Sequence, residues 1–520
     1  MKKILNLNKL GLNIYSIINK NKMNDIKTNL IVATDLQWGI SKKGLIPWRI
    51  KEDSNFFLDV TKREYIIGKK NAIIMGKNTW KALPDNFRGL RDRINIIISS
   101  QMTNNELLED NKTKTDSYLV KSLNEGIKLC KNFDLGKIFI GGGNNIYKEA
   151  LENLHIDEIY LSQINNNYDC DNIFPIESFN KIINNYKIHS TKEFLVCDQI
   201  SKEKRNIKFT KFYKGDIPNH LNIINAEEQR YLDLLESILR NGDFRETRNA
   251  NTWSQFGKNL EFDLSNGFPL LTTKKVNFQG IFEEALFFLS GKTDAKILSD
   301  KGIKIWDKNT SREFLDSIGL NHYDEFDMGP MYGFNFRHFG LLYEDKNKNY
   351  KEGFDQIKYC LDLIKNDPNS RRIIMTSFNP AQAKKGVLYP CHSIVMQWYV
   401  EEKNKLALSI YNRSQDMILG NPWNITYAAL LIHLFCEVIN NDSNYLGNKL
   451  LPGRLIMNLG DIHIYENHYE QCIRQILREP YKFPQLIFKR KVTELIDFKF
   501  EDLNLVDYYC YPGIIAKMIA

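Results

Sequence analysis

Five short apolar runs recur through the first part of the chain, and they restrict its fold more than any other feature. They are bounded by glycine or polar residues and lie at 30–33, 72–75, 94–98, 138–140 and 159–161. Runs of this length without polar alternation are typical of strands buried on both faces. Helical stretches lie between them, for example at 52–61 and 123–130. The pattern predicts an α/β unit with a mainly parallel, twisted sheet and flanking helices.

Two glycine-containing segments follow predicted strands and suit phosphate binding. Residues 76–80 come directly after a strand and would start a helix at an anion. Residues 141–145 hold three consecutive glycines before the stretch 146–150, and they would let the backbone approach a pyrophosphate closely. Neither segment is a complete dinucleotide-binding fingerprint, so each is weak evidence when taken alone.

A carboxylate and an aromatic ring share one face of the first predicted helix. Asp53 and Phe57 are four residues apart, which places them side by side on a helix. Burial beside the ring would raise the pKa of the Asp53 carboxyl and let it handle protons. A lone Asp near a helix start is more often a partner of the helix dipole, and the residues alone leave that alternative open.

The length of the chain predicts more than one domain. At 520 residues it exceeds what a single hydrophobic core supports. A short polar break begins at Gly215, and helical periodicity resumes at 227–239. We therefore expect an N-terminal extension at 1–27, a first domain at 28–214, a linker at 215–226 and a second domain at 227–520.

Charge and cysteine usage narrow the class of partner. The formal charge of +8 fits anionic ligands, and the chain has no Lys/Arg block or finger spacing, so we expect small anions rather than nucleic acid. Its eight cysteines form no Cys-x-x-Cys pair, which argues against a metal site or a disulfide framework and for a reducing compartment. No apolar run is expected to reach membrane-spanning length.

The first 25 residues are rich in Lys, Asn, Leu and Ile. Their apolar residues are interrupted by Asn and Lys, unlike the core of a signal peptide. We expect a solvated extension on a cytoplasmic protein, and organellar targeting stays open as the alternative.

Residues 28–214 resemble dihydrofolate reductase. The resemblance is carried by 31–33, 39–40, 45–48, 74–80, 93–95 and 142–147. It implies that Asp53 holds the pterin and supports protonation of its nitrogen 5, and that Arg93 grips the glutamate carboxylate of the folate. Implied dihydrofolate contacts are Ile31, Ala33, Asp53, Phe57, Leu83 and Arg93. Implied NADPH contacts are Ala33, Gly39, Ile40, Lys77, Asn78, Thr79, Ser99, Ser100, Lys121, Gly142, Gly143, Asn144, Asn145, Ile146 and Tyr147.

Two serines depart from the pattern of that family. Ser41 stands where a second glycine is usual, and Ser100 stands where an arginine often meets the 2′-phosphate of NADPH. Lys77 and Lys121 remain for that phosphate, so NADPH is still the expected cofactor.

The second half contains a cysteine with a constrained approach. Cys391 follows Pro390, whose ring fixes φ and removes a backbone donor. His392 is adjacent, and the earlier pair Arg371 and Arg372 offers a forked grip on an anion. Cationic neighbours lower the pKa of a thiol towards the reactive thiolate. A single Cys-His pair is more often a buried, inert cysteine, so the surrounding motifs decide.

Residues 227–520 resemble thymidylate synthase. The resemblance is carried by 283–288, 305–307, 329–333, 371–372, 390–392, 411–416, 420–424 and 459–465. It implies that the Cys391 thiolate adds to carbon 6 of dUMP, with Glu284, Tyr332 and Asn424 completing the catalytic set. Implied dUMP contacts are Arg248, Arg371, Arg372, His392, Asn412, Arg413, Ser414, Asp416, Asn424, His463 and Tyr465. Implied contacts of 5,10-methylenetetrahydrofolate are Ile305, Trp306, Asp416, Leu419, Gly420 and Trp423.

This half also departs from its family. The phosphate loop around Arg248 lacks both usual glycines, Asn412 replaces a Gln, and Trp423 replaces a Phe. A deoxycytidylate hydroxymethylase is the alternative enzyme, and Asn424 disfavours it because cytosine-reading relatives place Asp there. A binding protein without catalysis would need a missing nucleophile or carboxylate, and Cys391, Glu284 and Asp53 are all present.

The two resemblances imply one cycle. The synthase releases dihydrofolate, and the reductase regenerates tetrahydrofolate with NADPH, in the domain order of fused chains from protists and plants. The family pattern carries Arg371 and Arg372 to the phosphate site of a neighbouring subunit, so we expect a homodimer formed through the second domain. Only small-molecule substrates are expected otherwise, with no metal, nucleic acid or membrane.

Overall fold

The structure is a computed structural model that describes residues 26–215, 225–247 and 250–519. The contacts divide the chain into two compact units at residues 222/223. Most of the N-terminal extension and of the linker lies outside the described residues.

The first unit alternates strands and helices. Its strands are β1 (Thr28–Thr34), β2 (Gly39–Ser41), β3 (Lys70–Gly76), β4 (Arg93–Ile98), β5 (Ser117–Val120), β6 (Leu135–Ile140), β7 (Glu158–Ile164), β8 (Asn172–Ile173), β9 (Tyr186–Cys197) and β10 (Lys204–Lys214). Its helices are α1 (Lys51–Lys62), α2 (Lys77–Ala82), α3 (Asn104–Asp110), α4 (Leu123–Cys130), α5 (Asn144–Asn153) and α6 (Ile176–Ile183).

Eight of these strands form one sheet, in the order β5-β4-β3-β6-β1-β7-β10-β9. All pairs are parallel except those of β10, which runs antiparallel to β7 and β9. The predicted mainly parallel sheet is confirmed, and the five apolar runs lie in β1, β3, β4, β6 and β7. Residues 72–75 of β3 are at most 1% exposed, as expected for a strand covered on both faces. The carboxyl ends of the parallel strands meet at one edge, where ligands of such sheets bind.

The second unit combines a mixed sheet with long helices. Its strands are β11 (Asp243–Arg245), β12 (Thr252–Asp263), β13 (Ile374–Thr376), β14 (Val395–Glu401), β15 (Lys405–Asp416), β16 (Leu451–Tyr465), β17 (Gln485–Phe488) and β18 (Leu503–Val506). Its helices are α7 (Ala226–Asn241), α8 (Phe278–Leu289), α9 (Lys296–Ser299), α10 (Arg312–Ser317), α11 (Gly333–Arg337), α12 (Gln356–Asn366), α13 (Gly420–Asn441) and α14 (Tyr469–Ile476).

Six strands of this unit form one sheet, in the order β11-β12-β16-β15-β14-β13. Only β15 and β16 are paired in parallel within it; the other neighbours are antiparallel. The expected α+β class is confirmed. Asn412, Arg413 and Ser414 lie near the carboxyl end of β15, and α13 begins after a short turn.

Helix α13 corrects one expectation. Among the described residues, α13 is the one helix that is long enough and apolar enough to span a membrane, judged by length and composition alone. Its most apolar window is 89% buried inside the structure, so its composition is that of a core helix. The expectation that no apolar run reaches such a length was therefore wrong, because full burial makes all sides of a helix apolar.

Candidate active sites

The parallel sheet brings the two glycine segments of the first unit together. Strands β3 and β6 are neighbours, and Gly76 N donates a hydrogen bond to Gly142 O across 2.8 Å. Helix α2 begins immediately after Gly76, and α5 begins after Gly143. The peptide between Gly142 and Gly143 is cis. A Cβ on Gly143 would lie 3.3 Å from Thr79 Oγ1, so the two loops touch. Two helix starts thus face one site, which suits a diphosphate.

Several other predicted cofactor residues lie at the same edge of the sheet. Ser99 follows β4, Lys121 follows β5, and Ser99 N donates to Val120 O across 2.9 Å. Ser100 and Lys121 are exposed. The side chain of Asn144 is already occupied, because its amide donates to Ile173 O across 2.6 Å.

The remaining predicted contacts surround this edge. Tyr147 is buried and donates from its hydroxyl to Ile31 O across 2.8 Å, which ties α5 to β1. Ala33 belongs to β1, and Gly39 and Ile40 belong to β2. The other predicted cofactor residues lie on two helices: Lys77, Asn78 and Thr79 on α2, and Asn145 and Ile146 on α5.

Asp53 lies in the first turn of α1, where the expectation placed it. Burial raises the pKa of its carboxyl, and hydrogen bonds from Ser162 and Trp48 only partly offset that effect. Trp48 Nε1 lies 3.4 Å from Asp53 Oδ2. Ser162 comes from β7 and is distant in sequence, so no local pattern indicates its part in the site. The raised pKa is that of a carboxyl able to exchange a proton.

The predicted folate-binding residues lie on neighbouring elements. Phe57 lies one turn beyond Asp53 on α1 and is partly exposed, as is Leu83 just after α2. Arg93 begins β4 and is buried; its Nη1 donates to Thr61 Oγ1 across 2.7 Å. Burial lowers the pKa of Arg93 to about 10. The neighbouring carboxylate of Asp92 is paired with Lys62, and the Arg93 guanidinium donates to two uncharged oxygens, Arg91 O and Thr61 Oγ1. The positive charge of Arg93 therefore suits the carboxylate of a ligand.

In the second unit, Cys391 is held between an arginine and a tyrosine. Arg413 Nη2 lies 3.6 Å from Cys391 Sγ, and the same guanidinium donates to Tyr389 O and Pro390 O across 2.8 Å. Cys391 N donates to the hydroxyl oxygen of Tyr332 across 3.0 Å. A nucleophile candidate, a cation and a phenol therefore converge at one point.

The electrostatics of this thiol differ from the expectation. Burial raises the pKa of Cys391, and the nearby charge of Arg413 lowers it only in part. His392 supplies no positive charge, because its own burial lowers its pKa to about 3. Its ring is stacked on Tyr332 with centroids 4.6 Å apart. The charge of Arg413 beside this partly buried sulfur does not outweigh desolvation.

Glu284 is the second titratable centre of this unit. It lies on α8, is 3% exposed, and accepts a hydrogen bond on each oxygen: Trp306 Nε1 at 2.9 Å and Trp423 Nε1 at 2.6 Å. Burial raises its pKa to about 7 despite both indole donors. The ring of Trp306 also contacts Tyr332, with centroids 6.1 Å apart. Glu284 therefore belongs to the same cluster as the thiol and titrates near neutrality.

Asn424 projects from the first turns of α13 and is almost fully buried. Its Nδ2 donates to Gln415 Oε1 across 3.1 Å. Asn421 Nδ2 donates to the same oxygen across 3.2 Å. Gln415 was not among the site residues predicted from sequence. It lies nine positions before Asn424 and on a different element, a spacing from which no local pattern predicts a contact.

The end of β15 and the end of β16 supply further predicted residues. Asp416 Oδ1 accepts from Ile418 N and Leu419 N, which shapes the turn leading to Gly420. His463 Nδ1 lies 2.9 Å from Asp461 Oδ1.

Other predicted residues occupy the same surroundings. The ring of Tyr465 lies 5.1 Å from that of His463, and burial raises its pKa to about 12. Asn412 is buried, with its Oδ1 accepting from Ser393 N across 2.8 Å and its Nδ2 unpartnered among the described residues. Ser414 and Ile305 are partly exposed.

The predicted arginine pair is not brought to Cys391 within one chain. Arg371 and Arg372 precede β13 and are exposed. In 225–247 and 250–519, neither guanidinium forms a hydrogen bond or ion pair with another residue. The backbone of Arg372 is engaged by Tyr359, Ser370 and Ile374. Arg248 lies outside the described residues.

The two sites define a chain of two enzymatic domains. The first pairs a dinucleotide-type sheet edge with a partly buried carboxyl whose pKa is raised, and the second pairs a thiol and arginine with a carboxyl that titrates near neutrality.

Comparison with known proteins gives the family. The family model for dihydrofolate reductase matches residues 27–212, and that for thymidylate synthase matches residues 229–520. Bifunctional dihydrofolate reductase-thymidylate synthases of Glycine max and Leishmania major are 35% and 37% identical over 516 residues, covering 94% of this chain and 94% of each relative. A relative of the same description from Zea mays is 35% identical and covers 94% of this chain and 96% of its own. The chain belongs to the bifunctional dihydrofolate reductase-thymidylate synthase family.

It is therefore a bifunctional oxidoreductase and methyltransferase. Its synthase domain methylates dUMP to dTMP with 5,10-methylenetetrahydrofolate, and its reductase domain reduces the resulting dihydrofolate with NADPH. The hydroxymethylase alternative finds no support.

Proposed function

We propose that Cys391 Sγ is the nucleophile of the synthase reaction. It adds as thiolate to carbon 6 of dUMP, and carbon 5 then becomes the nucleophile that attacks the one-carbon unit of the folate. The contact of 3.6 Å from Arg413 supports this role, because a guanidinium stabilises the thiolate form. The burial that raises the pKa of the thiol makes this cation necessary.

Glu284 and Tyr332 manage protons around that step. Glu284 has a pKa of about 7, so both its protonated and ionised forms are populated at neutral pH. Tyr332 touches the backbone of Cys391 through its hydroxyl and assists removal of the proton from carbon 5. Loss of the carbon 5 proton separates the methylene group from the folate. That folate then gives a hydride to the methylene group while the bond between Cys391 Sγ and carbon 6 breaks, which leaves dTMP, dihydrofolate and the free thiolate.

Asn424 reads the uracil edge, and the nucleotide is held by residues around it. Arg413, Ser414 and Asp416 surround the base and phosphate, with His392, Asn412, His463, Tyr465 and Arg248 completing the set. Ile305, Trp306, Asp416, Leu419, Gly420 and Trp423 line the folate pocket. Their support is the family pattern together with the cluster built by β15, β16 and α13.

In the reductase domain, Asp53 would support protonation of nitrogen 5 of the pterin, and bound NADPH would supply the hydride for the reduction. The pKa of its carboxyl, which desolvation raises, supports this role. Phe57 packs on the pterin, Ile31, Ala33 and Leu83 contact it, and Arg93 grips the glutamate carboxylate. The loops at Gly76 and Gly142 hold the cofactor phosphates, with Lys77, Thr79, Ser99 and Lys121 beside them.

A second subunit completes the synthase site. Arg371 and Arg372 are exposed and make no side-chain contact within the described part of their own chain, which supports donation to a partner's dUMP phosphate. Two-fold symmetry would give each site the arginines of the other chain. The functional form is then a cytoplasmic homodimer joined through the synthase domains.

Peptide mass spectrometry tests the nucleophile directly. Rapid quenching of enzyme mixed with dUMP and methylenetetrahydrofolate should give a nucleotide adduct on the peptide containing Cys391. Cys360→Ala is the matched control, because it removes another free thiol of the same unit, on helix α12. An adduct on another cysteine, or full activity of Cys391→Ala, would refute the assignment.

A further inference from the structure

Gln415 connects a backbone carbonyl to the base-reading amide of the synthase site. It belongs to β15, is 2% exposed, and has both side-chain polar atoms in hydrogen bonds. Its Nε2 donates to Ser414 O across 3.0 Å. Its Oε1 accepts from Asn421 Nδ2 and Asn424 Nδ2 across 3.2 and 3.1 Å.

These hydrogen bonds are consistent with only one orientation of the three side-chain amides, those of Gln415, Asn421 and Asn424. A backbone carbonyl can only accept, so the Nε2 end of Gln415 must face Ser414. The Oε1 end must then face the two asparagines, and an oxygen acceptor requires their NH₂ groups. The amide of Asn421 keeps this orientation although its own Oδ1 has no partner among the described residues.

The consequence for Asn424 is a fixed pattern of donor and acceptor. A flip of its amide would bring Oδ1 against Gln415 Oε1, placing two acceptors about 3.1 Å apart. In the observed orientation Oδ1 accepts no hydrogen bond from the described residues, and Nδ2 keeps its second N–H. Uracil offers an N3–H donor and an O4 acceptor, which match this pair. Cytosine offers an N3 acceptor and an N4 amino donor, which would need the flipped amide.

We propose that Gln415 is a specificity-determining positioning residue, which holds the Asn424 amide in the orientation that accepts uracil and rejects cytosine. This inference rests on the proposed base-reading role of Asn424. It adds the reason why an amide, which could otherwise turn to suit either base, discriminates between them.

The test compares equilibrium binding of dUMP and dCMP to the full-length enzyme. Gln415→Met keeps the approximate volume and removes all three hydrogen bonds of the Gln415 side chain. The ratio of the dCMP to the dUMP dissociation constant should fall at least about tenfold in this variant, the scale of one bidentate base contact. Gln415→Glu, measured at acidic pH where the new carboxyl is protonated, keeps an acceptor towards Asn424 and an O–H donor towards Ser414 O. It should leave the ratio within about threefold of the wild type at the same pH. Gln415→Ala is the second disruptive variant if the methionine variant is poorly folded, as judged by its thermal midpoint.

The outcomes separate the inference from its premise. If Gln415 had a purely structural role, Gln415→Met would weaken the binding of dUMP and of dCMP equally. The ratio of their dissociation constants would then stay unchanged, and this result would overturn the inference. Asn424→Asp tests the premise, since a carboxyl at this position should favour cytosine. A lower ratio in Asn424→Asp with an unchanged ratio in Gln415→Met would refute only the role of Gln415. An unchanged ratio in Asn424→Asp would refute the base-reading role itself.

Discussion

The indole Nε1 of Trp423 donates a hydrogen bond to Glu284 Oε2 across 2.6 Å. Trp423 stands where the family usually has Phe, so this chain has a second indole donor on the Glu284 carboxyl. An N–H donor stabilises the ionised form, and it therefore lowers a pKa that burial has raised to about 7.

Replacing this donor should make Glu284 harder to ionise. In Trp423→Phe the carboxylate loses a charge-assisted hydrogen bond, so its pKa rises, by about one unit for a loss of about 1.4 kcal/mol. The acidic limb of the pH profile of kcat/KM for dUMP should move to higher pH by that amount. Trp398→Phe is the control, because its buried Nε1 has no partner in the described residues. Identical profiles for both variants would show that the Trp423 bond does not tune the carboxyl.

Asp53→Asn should separate activity from stability in the reductase domain. Dihydrofolate reduction should be crippled, most severely near neutral pH, while the synthase activity should persist. Because burial raises the folded-state pKa of this acid, the folded state binds the proton more tightly than the unfolded state. Ionisation above the unfolded pKa then costs stability, so the neutral variant should unfold at an equal or higher temperature at pH 7. Full reductase activity would make Asp53 an ordinary helix-start carboxylate.

Subunit exchange should reveal shared synthase sites. Mixing inactive Cys391→Ala chains with inactive Arg372→Glu chains should restore one working site in each heterodimer. The control mixture is Cys391→Ala with Glu284→Gln, since both residues lie in the cluster of a single chain and no intact site can form. Activity in both mixtures, or in neither after exchange is proven, would contradict the shared phosphate clamp.

Cofactor preference should depend on Lys121. We expect the wild type to prefer NADPH over NADH, and Lys121→Ala to weaken that preference about tenfold by removing a charged contact to the 2′-phosphate. Lys128→Ala, an exposed lysine on the adjacent helix α4, serves as the control. Ratios of kcat/KM for the two cofactors measure the effect. Equal use of both cofactors by the wild type would refute the expectation.

Sequence reasoning succeeded where one local pattern dictates one physical outcome. Short apolar runs bounded by glycine predicted the parallel strands, and the four-residue spacing of Asp53 and Phe57 predicted a shared helix face. The sign of the Asp53 pKa shift followed from burial alone.

It failed where a balance of opposing effects or a distant partner decides. Neighbouring cations were expected to lower the pKa of Cys391, but desolvation exceeds the effect of Arg413. Ser162 forms a hydrogen bond with Asp53, and Gln415 accepts one from Asn424. Each bond joins two separate elements, so no local spacing in the sequence predicts it. The apolar composition of α13 became clear as core packing only once its surroundings were known.

The central claim is that one chain makes dihydrofolate in one domain and consumes it in the other. Wild-type enzyme incubated with dUMP, methylenetetrahydrofolate and NADPH should form dTMP and oxidise NADPH in a ratio approaching one to one. Under the same conditions Cys391→Ala should do neither, and added dihydrofolate should restore its NADPH oxidation. Formation of dTMP without NADPH oxidation, or failure of dihydrofolate to rescue the Cys391→Ala chain, would contradict the account.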